Sequence, residues 1–264
     1  MRTWITSLIV AGICAAAAAD DGVERSADLL KQARKEQRGL ANQAGVSAAD
    51  VGDADSFGRN VHFLGVAQTG LVSLQSDCTN PINNPPFPDD RCFVPLAPPS
   101  TTVIHAQDIG RITLPAKAAS SILCHSVTSL PTWHFSNPTA NAGIASFRYS
   151  AFFTIENEVL NDPNLIDPTT GLPYGGSIEG LGFSIITDDQ TLHPGDVATR
   201  KHTATRSCIG GLISKSALIE GYGLTAAQAD EFFKKPMTVR LHIQLATRFV
   251  DFALVLYGLR LFGD

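Results

Sequence analysis

From Phe57 onward, apolar and polar residues alternate with period two, the pattern of strands with one wet face. Met237, Val239, Leu241, Ile243 and Leu245 alternate with Thr238, Arg240, His242 and Gln244. Ala145, Phe147, Tyr149, Ala151, Phe153 and Ile155 line one face of a second strand, with Ser146, Arg148, Ser150 and Thr154 opposite. Leu181, Phe183 and Ile185 mark a third. Phe249 to Phe262 is apolar on both faces over Phe252 to Tyr257, which predicts a central strand covered on both sides. Shorter runs at Val61–Gln68, Leu71–Gln75, Thr102–His105, Arg111–Leu114 and Ser121–His125 are further strand candidates.

One helix is expected. Thr225 and Gln228 stand in the T-x-x-Q spacing of a capping box, Ala226 to Lys235 are good helix formers, and Pro236 ends the run. Phe232 and Phe233 would pin it against a sheet. The loops are turn chemistry: Pro81 to Pro99 is dense in proline, and Asn161 to Gly176 reads NDPNLIDPTTGLPYGG. Many short strands, little helix and Gly/Pro turns predict an all-β domain over residues 57–264, a β-sandwich of jelly-roll-like character.

The N-terminal part departs from this pattern. Arg2, the largely apolar run Ile5 to Ala19 and the small residues Ala17-Ala18-Ala19 before Asp20 read as a secretory signal peptide over residues 1–19. That run is shorter than the roughly 20 apolar residues a membrane-crossing helix needs, and no later segment is long and apolar enough. The expected destination is the periplasm or the extracellular space of a bacterium. Residues 20–56 hold acids and bases in quantity. Val23, Ala27, Leu30, Ala33 and Leu40 recur at helical spacing, and a small, polar stretch follows. This predicts a helical and linker segment with one narrow apolar stripe.

Export changes the cysteine arithmetic. Of the five cysteines, Cys14 lies in the leader, leaving Cys78, Cys92, Cys124 and Cys208. An even set in an exported chain reads as two disulfides. Of the three pairings that can be drawn, Cys78–Cys92 with Cys124–Cys208 is preferred, because the first closes a short loop full of turn formers. No C-x2-C pair is present to favour zinc.

Composition narrows function without assigning it. Charged residues make up 17% of the chain and the net charge is −5, with no basic stripe of the kind nucleic acid requires. There is no phosphate-binding glycine loop and no C-x-x-C-H haem motif. Gly175-Gly176-Ser177-Ile178-Glu179 fails the nucleophile-elbow pattern at its last position. Acids that would serve a glycosidase are Glu156, Glu158, Glu179, Asp188 and Asp189. Asn161, Asp162, Asn164 and Asp167 crowd one loop with the oxygen ligands calcium prefers, although no EF-hand spacing is present and such residues also make turns. Trp133 and His134 are adjacent candidates for contact with a ligand such as a glycan.

Three readings follow. The first is an exported, disulfide-bonded sandwich with a non-catalytic binding or envelope role, its partner an envelope or extracellular component or a glycan. The second is a secreted hydrolase of an extracellular polymer, using acids such as Glu156 or Glu179. The third is an outer-membrane β-barrel, prompted by the closing run Tyr257-Gly258-Leu259-Arg260-Leu261-Phe262.

Overall fold

The computed structural model describes residues 61–79, 90–207 and 212–264. The expected signal peptide, the segment 20–56 and Cys208 lie outside the described residues.

Period-two alternation becomes two sheets packed face to face. The strands are β1 (His62–Leu74), β2 (Arg91–Phe93), β3 (Thr101–Leu114), β4 (Ile122–Ser136), β5 (Gly143–Asn157), β6 (Ser177–Leu192), β7 (Val197–Lys201), β8 (Ala204–Ser207), β9 (Ile213–Ser214), β10 (Met237–Arg248) and β11 (Val250–Gly263). A seven-stranded sheet runs β2-β1-β11-β4-β7, with β8 and β9 also pairing β4, and a four-stranded sheet runs β3-β10-β5-β6. The architecture is an all-β sandwich. The sheets do not close on themselves, which corrects the barrel reading: β3 and β6 border the smaller sheet, and β2 and β7 end the path of the larger.

The core lies between the sheets. Phe147, Tyr149, Phe153, Val239, Leu241, Val255 and Tyr257 are at most 1% exposed. The Trp133 indole stacks on the Phe147 ring across the interface, with centroids 4.2 Å apart and planes 2° from parallel. Tyr149 Oη and Ser129 Oγ meet at 2.6 Å, so the one polar atom on that buried ring is satisfied. β11 is indeed a central strand, flanked by β1 and β4.

Two pairs of short predicted strands are each one long strand. Val61–Gln68 and Leu71–Gln75 merge in β1, and Thr102–His105 and Arg111–Leu114 merge in β3. β4 runs through Pro131, against the expectation that proline marks an edge or loop. The reason is local. Its neighbour is interrupted there, since β7 ends at Lys201 and β8 starts at Ala204, and the Pro131 carbonyl accepts from His202 N–H in the gap.

Two helices pack together at one end. α1 (Lys215–Glu220) is capped by Ser214, and α2 (Ala226–Lys234) carries the full Thr225–Gln228 capping box. Phe232 and Phe233 are buried as the sequence indicates. Cys78, just past the end of β1, and Cys92 of β2 form a disulfide with Cα atoms 5.8 Å apart. Cys124, fully buried on β4, is also disulfide-bonded. The turn from β10 to β11 is the single residue Phe249, where the chain crosses between sheets. It is buried in the left-handed region at φ 56°, which is strained for a bulky side chain.

Candidate functional site

In β3 the alternation breaks. Leu241 of β10 faces Gly110 and Ile243 faces Ala106, so Gln107, Asp108 and Ile109 together oppose the single residue His242. This is a bulge, and Asp108 occupies it in the left-handed region at φ 53°. Bulges re-aim side chains out of the ladder, and Asp is among the few residues that accept this conformation.

The bulge is held from both sides. From the core, the Tyr257 hydroxyl of β11 donates to the Ile109 carbonyl. On the wet face, the Asp108 N–H donates to His242 Nδ1 at 3.0 Å. Arg240 then ties two strands together. Its Nε and Nη2 donate to Glu156 of β5 at 2.7 and 2.9 Å, and its Nη1 donates to Asp108 at 2.6 Å. Arg111 also donates to the Asp108 carboxylate. The Phe152 ring of β5 stacks on His242 with centroids 5.0 Å apart.

The electrostatics follow from these contacts. Partial burial pushes the Asp108 carboxyl upward, but the Arg111 hydrogen bond and the charges of Arg240 and Arg111 outweigh it, so its pKa lies below the usual carboxylate value. The His242 pKa is lowered. Burial of the ring is the main cause, and it prevails over the neighbouring charges of Asp108 and Glu179. His242 is therefore neutral near pH 7. Because Nδ1 accepts a bond, the proton sits on Nε2. Nε2 is buried and has no hydrogen-bond partner.

The other candidate residues are dispersed. Trp133 and His134 point to opposite faces of β4. Trp133 is 3% exposed, with one ring face on Phe147 and its indole N–H directed to Asp188, so it serves the core. His134 Nδ1 lies 2.6 Å from Asp251 on the outer side. In the Asx-rich loop, Asp162 accepts from Asn164 N–H, and Asp167 accepts from Thr169 N–H and the Thr170 hydroxyl. Asn161 stands beside Gly176. Among the described residues, no group of three or more His, Cys, Asp or Glu is placed to hold a metal ion. Glu156 joins the site and Glu179 stands exposed near it, whereas Asp188 accepts from Trp133 and Asp189 lies near Arg148. His125 packs edge-on against Phe153 in the core.

Comparison with protein-family models, with curated proteins and with solved structures finds no match for this chain. Its function is therefore argued from the site alone.

Asp108, Arg111, Phe152 and Arg240 are not singled out as site residues by the sequence. Their signal is nonetheless present. The interval His105 to Arg111 breaks the alternation between two strand-like runs, and such a break within one strand is how a bulge reads in sequence.

Proposed function

We propose that this protein is an exported β-sandwich with a binding role rather than a catalytic one, and that the outer face of its four-stranded sheet, around the Asp108 bulge, contacts a glycan of the envelope or the extracellular medium. A disulfide-bonded sandwich is consistent with an exported protein.

One observation carries the reading. The half-buried Phe152 ring is backed by the buried His242 imidazole and stands beside the fixed Arg240–Glu156–Asp108 bridge, whose guanidinium is the donor. An aromatic ring next to a donor and a set of anchored acceptors suits a sugar, whose C–H faces pack on rings and whose hydroxyls both accept and donate. The same bridge weighs against hydrolysis. A glycosidase needs one carboxyl held protonated near neutral pH. Here the carboxylates of Glu156 and Asp108 are committed to one guanidinium, that of Asp108 is held ionised, and the third near acid, Glu179, stands exposed.

The test is binding of the purified protein to a panel of oligosaccharides and insoluble polysaccharides, with Phe152→Ala and His242→Ala compared against the unaltered chain. Both substitutions should weaken binding at least about tenfold, the first by removing the stacking ring and the second by removing the imidazole that backs it. Circular dichroism should show the β-sheet unchanged. A panel with no binder, or variants that bind as the unaltered chain does, would refute the assignment.

A further inference from the structure

His242 stands at an outward position of β10, yet it is only 8% exposed. The Asp108 bulge lies beside its ring, and Phe152 stacks on the ring face. This enclosure suits the neutral imidazole alone. Nδ1 must keep its lone pair, because it accepts from the Asp108 N–H at 3.0 Å. Nε2 carries the one ring proton and, among the described residues, has no hydrogen-bond partner. A second proton can go only to Nδ1. Two N–H groups would then point at each other, and the bond that holds the bulge on the wet face would be lost.

The charges around the ring come from all four strands of the sheet. β3 supplies Asp108 and Arg111, with His105 exposed further along the strand, β10 supplies Arg240, β5 supplies Glu156 and β6 supplies Glu179. Asp108 and Glu179 favour a proton on His242, Arg240 opposes it, and burial opposes it most strongly. The enclosed ring therefore titrates below its ordinary value of 6.5, whereas a ring released to water regains that value. Above the ordinary value neither form is protonated and the bulge stays closed. Between the two values the open form takes up the proton and the closed form does not, so each pH unit of acidification favours opening by up to about tenfold.

We propose that His242 is an acid-operated latch: protonation at Nδ1 expels the ring from the bulge, frees the Asp108 backbone and removes the backing of the Phe152 ring, so that this face releases its ligand as the surroundings acidify. The opening is local. β3 and β10 remain paired on both sides of the bulge, and the Tyr257 bond to the Ile109 carbonyl does not involve His242. The proposal rests on the glycan reading for what is released, but the latch is a property of the strands and operates without a ligand.

Hydrogen exchange of the full, ligand-free chain, followed by NMR from neutral pH down through the imidazole range, tests it. Protection of the Asp108 amide, corrected for the intrinsic pH dependence of exchange, should fall at least about tenfold relative to that of Leu245 as the His242 ring titrates. His242→Asn places an amide oxygen where Nδ1 stood and takes up no proton, so its Asp108 amide should stay protected over the same range. Asp108→Asn should leave the loss in place, which assigns it to the imidazole rather than to the carboxylate. Protection that holds while His242 becomes protonated, or a loss of equal size in His242→Asn, overturns the proposal. A second readout needs no variant. The nuclear Overhauser contact between the Phe152 and His242 rings should vanish with the imidazole titration, and a contact that persists in the protonated protein refutes the latch. Since no saccharide is present, either refutation is separate from the outcome of the glycan panel.

Discussion

Replacing Arg240 tests whether one guanidinium organises the wet face. It donates to Glu156 at 2.7 and 2.9 Å and to Asp108 at 2.6 Å. The side chains are partly exposed, 23% for Arg240, 28% for Asp108 and 42% for Glu156. Water therefore screens each contact, and the full value of a buried charged hydrogen bond does not apply. At about 0.5–1 kcal/mol per bond, the three bonds sum to roughly 2 kcal/mol. Arg240→Met should cost about that much, because methionine keeps the apolar stem while removing the charge. In a domain of this size the melting temperature should fall by about 4–8 °C. Double-mutant cycles with Glu156→Gln and with Asp108→Asn apportion the loss, and asparagine tolerates the left-handed backbone at the bulge. A linked effect has a defined sign. The Asp108 carboxyl titrates below its unfolded value, so its contribution is complete above the unfolded pKa and is lost as pH falls through the folded one. The stability gap between Arg240→Met and the unaltered protein should therefore narrow in acid, and the Asp108 pKa followed by NMR should rise in the variant. A variant that melts with the unaltered protein at pH 7, with no coupling in either cycle, would show that the bridge is incidental.

Other outcomes follow from the same structure. Replacing Cys78 and Cys92 together by serine frees a loop whose ends are 14 residues apart, which should cost about 3 kcal/mol by chain entropy and is read by urea denaturation. Asp264 accepts bonds from the Ser121 hydroxyl and from the N–H groups of Ser120, Ser121 and Ile122. These outweigh the upward push of burial and hold its carboxyl well below the usual range. Asp264→Asn should accordingly lower the urea midpoint at pH 7, with the difference narrowing once pH falls below the unfolded carboxyl pKa and lost only as it falls through the lower folded one; an equal difference at every pH contradicts this. Gly143→Ala would bring a Cβ to 2.6 Å from the buried Phe249 ring, and should cost about 1–3 kcal/mol in thermal melts. Tyr257→Phe removes the donor to the Ile109 carbonyl, so amide exchange at Asp108 and Gly110 should accelerate more than at Leu245.

The fold was largely legible because a sandwich is specified by period two. Each long strand carries its inward side chains at alternate positions, so β5, β10 and β11 could be read without their neighbours. The capping box at Thr225 was legible for a similar reason: both partners lie within one turn. β3 and β4 were misread where a local rule yielded to the sheet. In β3 the alternation is interrupted at Asp108 and Ile109 and resumes in the same phase, and in β4 Pro131 is tolerated because the adjacent strand is broken beside it. The site was less legible because its members come from three strands. Arg111 and Glu156 are brought to opposite flanks of β10 by pairing registers that no single stretch of sequence encodes. Trp133 and His134, adjacent in sequence, are separated by the same alternation that made the strand readable.

What a sandwich needs in order to fold is confined to the two faces that meet. Val239, Leu241, Val255 and Tyr257 would hold the sheets together whatever stood on the outer surfaces. The outer faces are therefore where residues unnecessary to the architecture stand out, and here they differ in kind. One carries a left-handed aspartate, a buried imidazole with an unpaired N–H and a carboxylate–guanidinium bridge, none of which a plain solvated sheet requires. Conformational strain of this sort persists only where surrounding contacts over-determine it, and Tyr257 beneath the bulge together with Arg240 beside it meets that condition. The other outer face carries Phe252, Leu254 and Leu256, which cost solubility unless covered. The first face is preorganised for polar contact by its own strands. That asymmetry is why the binding role is proposed for the four-stranded sheet, and why a substitution at Phe152 should leave the packing of Phe252, Leu254 and Leu256 undisturbed.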